Sequence, residues 1–189
     1  GRGSRYALVV VDIPFPINHQ GIHQCVTAAG RILKETRCHA IKLEGGAEQA
    51  EVINALVTAG IPVMAHVGLR PQAVHTMGGY KVQRDRDQIL TDATAAQEAG
   101  AFAIVLECIP AEIAKELTDL LNIPTIGIGA GKHCDGQVLV INDMLGLTSG
   151  YVPSFVKSYA NLKETIQTAA GEWCNDVRDQ GFPSDENSF

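Results

Sequence analysis

Five side chains able to do chemistry stand where apolar runs end. Asp12 closes Tyr6–Val11, Lys42 and Glu44 lie in Ala40-Ile-Lys-Leu-Glu44, His66 lies in Pro62–Val67, and Glu107 closes Ala101–Leu106. Such β-branched runs read as strands buried on both faces. In parallel α/β architectures, functional groups gather at the carboxyl ends of strands. With the strands aligned, three carboxylates, one lysine and one histidine converge on a single rim. Lys42 and Glu44, two apart on one strand, face the same side. Two carboxylates sharing a site imply a cation between them, and oxygen ligation by Asp12 and Glu44 favours Mg²⁺ or Mn²⁺ over Zn²⁺. Such an ion can chelate a 2-oxo acid through its carboxylate and ketone and acidify the adjacent C–H. Lys42 balances the enolate charge, and Glu107, desolvated at the end of an apolar strand, removes the proton. The chemistry these residues suit is metal-assisted enolisation, with the enolate then attacking an electrophile.

Each residue also has a plainer reading. Asp12 could cap the following loop, Lys42 and Glu44 could form a structural ion pair, and His66 could be a hydrogen-bonded core histidine. Glu107 is harder to dismiss, because six apolar residues precede it and an unpartnered carboxylate there would be costly to desolvate. Gly127-x-Gly129-x-Gly131 is a weak nucleotide signal, since it lacks dinucleotide-fingerprint spacing and a following helix. Five such features at successive strand ends argue for a site.

The elements that must position them alternate. Strands are expected over Tyr6–Asp12, Ala40–Glu44, Pro62–Val67, Ala101–Glu107, Pro124–Ile128 and Val138–Ile141. Helices are expected over Gly21–Glu35, Ala47–Ala59, Asp87–Ala99 and Ala111–Leu121, two of them stopped by Gly60 and Gly100. Gly68–Lys81 reads as a long working loop, and after Pro153 the pattern turns helical. This is the signature of parallel βαβ units in a single domain over residues 1–189. The length favours an open doubly wound sheet, because a (β/α)8 barrel typically takes about 250 residues and only about six β/α units fit here. The chemistry points to the barrel.

Composition narrows the class. With 46% hydrophobic residues the chain is not disordered, and no run approaches the length of a membrane span. Fifteen Lys and Arg against 21 Asp and Glu argue against a nucleic-acid surface. Five scattered cysteines without zinc-ligand spacing read as reduced thiols of a cytoplasmic protein. The basic start before Tyr6 is followed by too short an apolar run to be a signal peptide.

In order along the chain stand Val11-Asp12-Ile-Pro-Phe15, Ile41-Lys42-Leu-Glu44-Gly45-Gly46, His66-Val-Gly-Leu-Arg-Pro-Gln72, Gly78–Gln83, Val105-Leu-Glu107-Cys-Ile-Pro110, and Ile126–Gly131 with Cys134-Asp-Gly-Gln137. This ordered set resembles the ketopantoate hydroxymethyltransferase family over essentially the whole chain. The resemblance implies a (β/α)8 TIM-type barrel. It implies transfer of a one-carbon unit from 5,10-methylenetetrahydrofolate to C3 of 3-methyl-2-oxobutanoate, with Mg²⁺ holding the oxo acid. By motif, Asp12 and Glu44 match metal-site carboxylates, and Asp12 and Lys42 match oxo-acid contacts. Glu107 matches the proton acceptor, and His66 lies in the same pocket as a substrate-binding residue. Family members form homo-oligomers.

Two departures accompany it. The family's first two strands, with an Asp-Ser pair on the first, are not in this sequence, so the chain is expected to be an N-terminally incomplete barrel with C-terminal helices. Arg70 stands where the family usually has Thr. No aromatic pair or basic cluster marks a folate site. The competing expectations are a metal-dependent lyase or mutase of another 2-oxo acid, and a catalytically silent partner of full-length subunits.

Overall fold

The computed structural model describes residues 3–189, so the opening Gly1 and Arg2 lie outside it. Six parallel strands form one sheet: β1 (Val10–Asp12), β2 (Ala40–Glu44), β3 (Val63–Gly68), β4 (Ala103–Glu107), β5 (Thr125–Ile128) and β6 (Gly136–Gln137). Helices α1 (Ile22–Thr36), α2 (Ala50–Thr58), α3 (Arg86–Glu98) and α4 (Ala111–Leu120) fill the successive crossovers. The strand order is consecutive, β1-β2-β3-β4-β5-β6, and every neighbouring pair is parallel. A doubly wound sheet reverses direction at a switch point; this one does not. It is the curled wall of a half-barrel, with six strands rather than eight.

The two faces of the wall differ. Alternate strand residues Ile41, Leu43, Val63, Ala65, Val67, Ile104 and Leu106 pack against Cys25 and Ala29 of α1, Ile53 and Leu56 of α2, Ile89, Ala93 and Ala96 of α3, and Leu117 of α4. That contact explains the small-residue stripes of the helices, since alanines let them sit close to the branched strand side chains. The opposite face carries a smaller apolar cluster of Met64, Ala103 and Val105, with Val10, Ile126 and Ile128 against it. All five chemistry-bearing side chains share this second face, because register and the two-residue period leave them no other.

Local chemistry sets the element ends. Asp85 caps α3 by accepting from the Gln88 amide at 3.1 Å. Asp92 of α3 accepts from the Ala47 amide at 3.0 Å, tying that helix to the turn after β2. Buried Thr125 binds Asp135 Oδ2 through its amide (2.9 Å) and hydroxyl (3.1 Å), so the Cys134–Gln137 motif anchors β5.

Three expectations change. Tyr6–Asp12 is not a strand buried on both faces: only Val10–Asp12 pair, and Tyr6 is 98% exposed. The segment borders the sheet edge, where apolar composition does not compel burial. Val138–Ile141 is not a strand either; the last strand is Gly136–Gln137, and Ile141–Met144 forms the short helix α5. Ala47–Gln49 is a 3-10 turn preceding α2.

By compactness the chain divides into a unit ending at Val138 and a second, Leu139–Phe189. The second contains α5 and α6 (Leu162–Arg178), with Asn161 capping α6. No residue of α6 is buried, and Ile166, Trp173 and Val177 are exposed. Among the described residues no helix is long and apolar enough to cross a membrane.

Ile104, at the centre of β4 and fully buried against the helices, reports on the cohesion of the first unit. Ile104→Ala is expected to destabilise by about 2–5 kcal/mol, read as a lowered urea midpoint with an unchanged slope.

Candidate active site

A polar chain crosses the open face of the sheet at its carboxyl end. Asp12 and Lys42 are register partners on β1 and β2, and the Lys42 ammonium lies 2.6 Å from Asp12 Oδ1. The same ammonium lies 3.1 Å from Nδ1 of His66 on β3. His66 Nε2 in turn lies 3.0 Å from Glu107 Oε2 on β4. His66 is the register partner of Glu44, two residues beyond Lys42, and Glu107 that of Gly68, two beyond His66. The chain therefore climbs the rim as it crosses from strand to strand.

Burial increases along it: the Asp12 side chain is 59% exposed, Lys42 19%, Glu107 15% and His66 3%. An ammonium only donates, so His66 Nδ1 is the acceptor and its ring proton sits on Nε2, facing Glu107. The approach to Glu107 lacks the alignment of a hydrogen bond and leaves buried Nε2 without a fully formed partner. Glu107 makes no other side-chain hydrogen bond among the described residues, so its lone pairs remain available for a proton. Gly68 (φ +89°) keeps this junction narrow, since a Cβ there would run into the Glu107 carbonyl oxygen, which accepts from the Leu69 amide at 2.8 Å.

Glu44 is on the same face but outside the chain. Its Oε2 accepts from the Gln72 amide at 2.9 Å, while the Gln72 side chain donates to the Ile13 carbonyl at 2.9 Å. Gln72 thus joins the loop after β3 to the ends of β1 and β2. The ion pair considered between Lys42 and Glu44 does not form; Lys42 pairs with Asp12. Arg70, the unusual residue of that loop, pairs with Glu48.

No group of three His, Cys, Asp or Glu is disposed as a metal cluster among the described residues. Asp12 and Glu44 supply oxygen donors of the kind a hard divalent ion takes. Each commits one oxygen, Oδ1 or Oε2, and keeps the other out of the hydrogen bonds described. Mg²⁺ commonly takes only one or two protein carboxylates, its other ligands being water and substrate.

Beside Glu44 opens a cavity of about 460 Å³, walled by Phe15, Pro16, His19, Arg70, Gln72 and His75 among others. The Phe15 and His19 rings are 6.2 Å apart and tilted by 60°. Two buried amides hold His19. Asn18 Nδ2 lies 3.3 Å from its Nε2 and 3.3 Å from the Glu44 carbonyl oxygen, and the Gln49 amide lies 3.4 Å from its Nδ1. The carbonyl makes Asn18 a donor. Gln49 Oε1 has no hydrogen-bond partner among the described residues. These residues escaped the sequence reading because Asn18 belongs to a loop with no periodicity and Gln49 to a segment read only as the start of a helix; Phe15 and Gln72 stood inside quoted motifs without an assigned role.

Cys108 follows Glu107 directly, in left-handed conformation (φ +48°). Burial, with a smaller contribution from the Glu107 charge, pushes its thiol up to about 11. All five cysteines are free.

A curled parallel wall with carboxylate, imidazole and ammonium groups along its carboxyl rim has the layout of a (β/α)-type enzyme. Residues 1–185 match the family described as ketopantoate hydroxymethyltransferase, and the chain belongs to that family. It is an enzyme of the hydroxymethyl-transferring class. It is 54% identical to the 3-methyl-2-oxobutanoate hydroxymethyltransferase of Rhodopirellula baltica over 189 residues, covering all of this chain and 70% of that protein. To the Trichlorobacter lovleyi protein of the same name it is 54% identical over 191 residues, covering 72% of it. Among solved structures, a phosphonopyruvate hydrolase shares the fold at a TM-score of 0.54 and 15% identity, over 95% of this chain and 64% of that one.

The Cys108 thiol sets an alkaline limit. Unfolded, it ionises near about 8.5; folded, it keeps its proton until about 11, so the unfolded state binds fewer protons between these values and stability falls as pH rises through that window. Cys108→Ala should remove this share of the loss. In melting curves from pH 7 to 11, the variant is expected to gain on the wild type only above about pH 8.5.

Proposed function

We propose that the chain transfers a hydroxymethyl group from 5,10-methylenetetrahydrofolate to 3-methyl-2-oxobutanoate, forming ketopantoate, by enolisation of the oxo acid. The observation that carries this reading is the contact series Asp12–Lys42–His66–Glu107 on the open face of the sheet, in a member of this family. The relatives' names favour it over the lyase or mutase reading.

Asp12 and Glu44 are the carboxylates suited to hold Mg²⁺ or a similar ion, which when bound would polarise the carbonyl of the oxo acid. Lys42, half-sequestered and already fixed by Asp12, lies where its positive charge meets the carboxylate or the developing enolate oxygen. Glu107 takes the C3 proton: the C3–H bond breaks, the proton goes to the carboxylate, and the electron pair passes into the enolate. C3 then bonds to the one-carbon unit, and one water is consumed as ketopantoate and tetrahydrofolate are released. His66 contacts Lys42 and Glu107 together and belongs to the oxo-acid pocket.

Assembly as a homo-oligomer is part of the same proposal, supported by the exposed apolar side chains of α6. Residence in a reducing cytoplasm is supported by the free thiols.

Glu107→Gln preserves shape and removes the base. With Mg²⁺ present, deuterium exchange at C3 of 3-methyl-2-oxobutanoate, followed by NMR, should slow by about 10²-fold or more, while the dissociation constant of the oxo acid changes little. Exchange persisting at the wild-type rate would refute the assignment of the base.

A further inference from the structure

His66 is the most deeply buried member of the contact series, with a side chain only 3% exposed. Its backbone is pinned as well: the Gly45 amide donates to the His66 carbonyl at 3.0 Å, and its register partners are Glu44 on β2 and Val105 on β4. A small substrate at the rim meets Lys42 and Glu107 before it meets this ring. Buried polar atoms are normally satisfied. Here Nδ1 is, by the Lys42 ammonium at 3.1 Å, but Nε2 is buried without a formed hydrogen bond, 3.0 Å from Glu107 Oε2.

A donor held just short of alignment in a dry position gains when its bond closes. Catalytic hydrogen bonds are often loose before substrate arrives and tighten in the complex. Two features keep this donor for Glu107. The ammonium has three protons and spends two, on Asp12 and His66, so one remains for an anionic substrate and the His66 tautomer survives substrate binding. Glu107 makes no other side-chain hydrogen bond among the described residues, so nothing competes for its Oε2. We propose that His66 is a positioning residue for the base: its Nε2–H holds Oε2 of Glu107, which leaves Oε1 to take the C3 proton, and the imidazole makes no contact of its own with the oxo acid. This rests on the reaction proposed above and divides the labour within it. Lys42 serves affinity, and His66, at the back of the pocket, serves the aim of the base.

Asparagine and glutamine separate the two ring nitrogens. In His66→Asn an amide oxygen near the Nδ1 position keeps an acceptor for Lys42, with nothing near Nε2. In His66→Gln the amide N–H reaches the Nε2 position and keeps the donor to Glu107. Deuterium exchange at C3 of 3-methyl-2-oxobutanoate and the dissociation constant of that acid are measured with Mg²⁺ for the wild type, both variants and Glu107→Gln. His66→Asn is expected to slow exchange about tenfold or more while the dissociation constant stays within about twofold. His66→Gln is expected to recover most of the lost rate, a rescue that a merely structural role does not give. Wild-type exchange in His66→Asn, equal loss in both variants, or weakened oxo-acid binding in an Asn variant that melts like the wild type would each overturn the assignment. If asparagine unfolds the chain, His66→Gln carries the test, and loss of exchange in that variant overturns it. Glu107→Gln keeps the two levels apart: exchange that survives it refutes the base itself, whereas exchange lost there and intact in His66→Asn refutes the positioning role alone.

Discussion

The Lys42 ammonium is the joint on which the rim depends. It sits in a largely desolvated position where an unpaired charge would be strongly unfavourable, and it resolves this by contacting Asp12 on one neighbouring strand and His66 on the other. Because an ammonium cannot accept, that contact also fixes which imidazole nitrogen carries the proton and hence what Glu107 faces. One donor group thus orients the His66 ring within a four-strand array. The parallel register is the precondition, since a one-residue slip in any strand would turn its polar residue toward the helices.

The wall was largely legible in the sequence where period and punctuation agreed. β2, β3, β4 and β5 and three of the four crossover helices fall within a residue or two of where the apolar runs and closing glycines place them, and α2 starts three residues later than expected. Legibility failed at the margins. Leu8 and Tyr6 look like core but lie beside a sheet edge, and Val138–Val140 have strand composition but keep only the Val138 amide on the Gly127 carbonyl of β5. Composition reports what a segment could bury; whether it does depends on a neighbour that local sequence does not encode.

The site divides along the same line. Asp12, Lys42, His66 and Glu107 could be placed together from strand-end position alone, because alternation and parallel register are regular. Their pairing could not: the sequence allowed Lys42 to meet Glu44, and the structure gives it Asp12 while a loop amide takes Glu44. The cavity was harder still. Its wall combines Phe15 and His19 from one loop with Gln72 from another, and the amides behind His19 come from positions 18 and 49. Loops meet through specific hydrogen bonds, and these have no period to read.

Cys108 has a consequence for durability. A sulfur atom beside the carboxylate proposed as the base could become a rival nucleophile or a point of oxidative damage, since reactivity follows the thiolate. Burial keeps this one in its neutral form across the physiological range. Little thiolate is therefore on hand beside Glu107 to react with oxidants or electrophiles. Apolar packing that shapes the strand end also protects it.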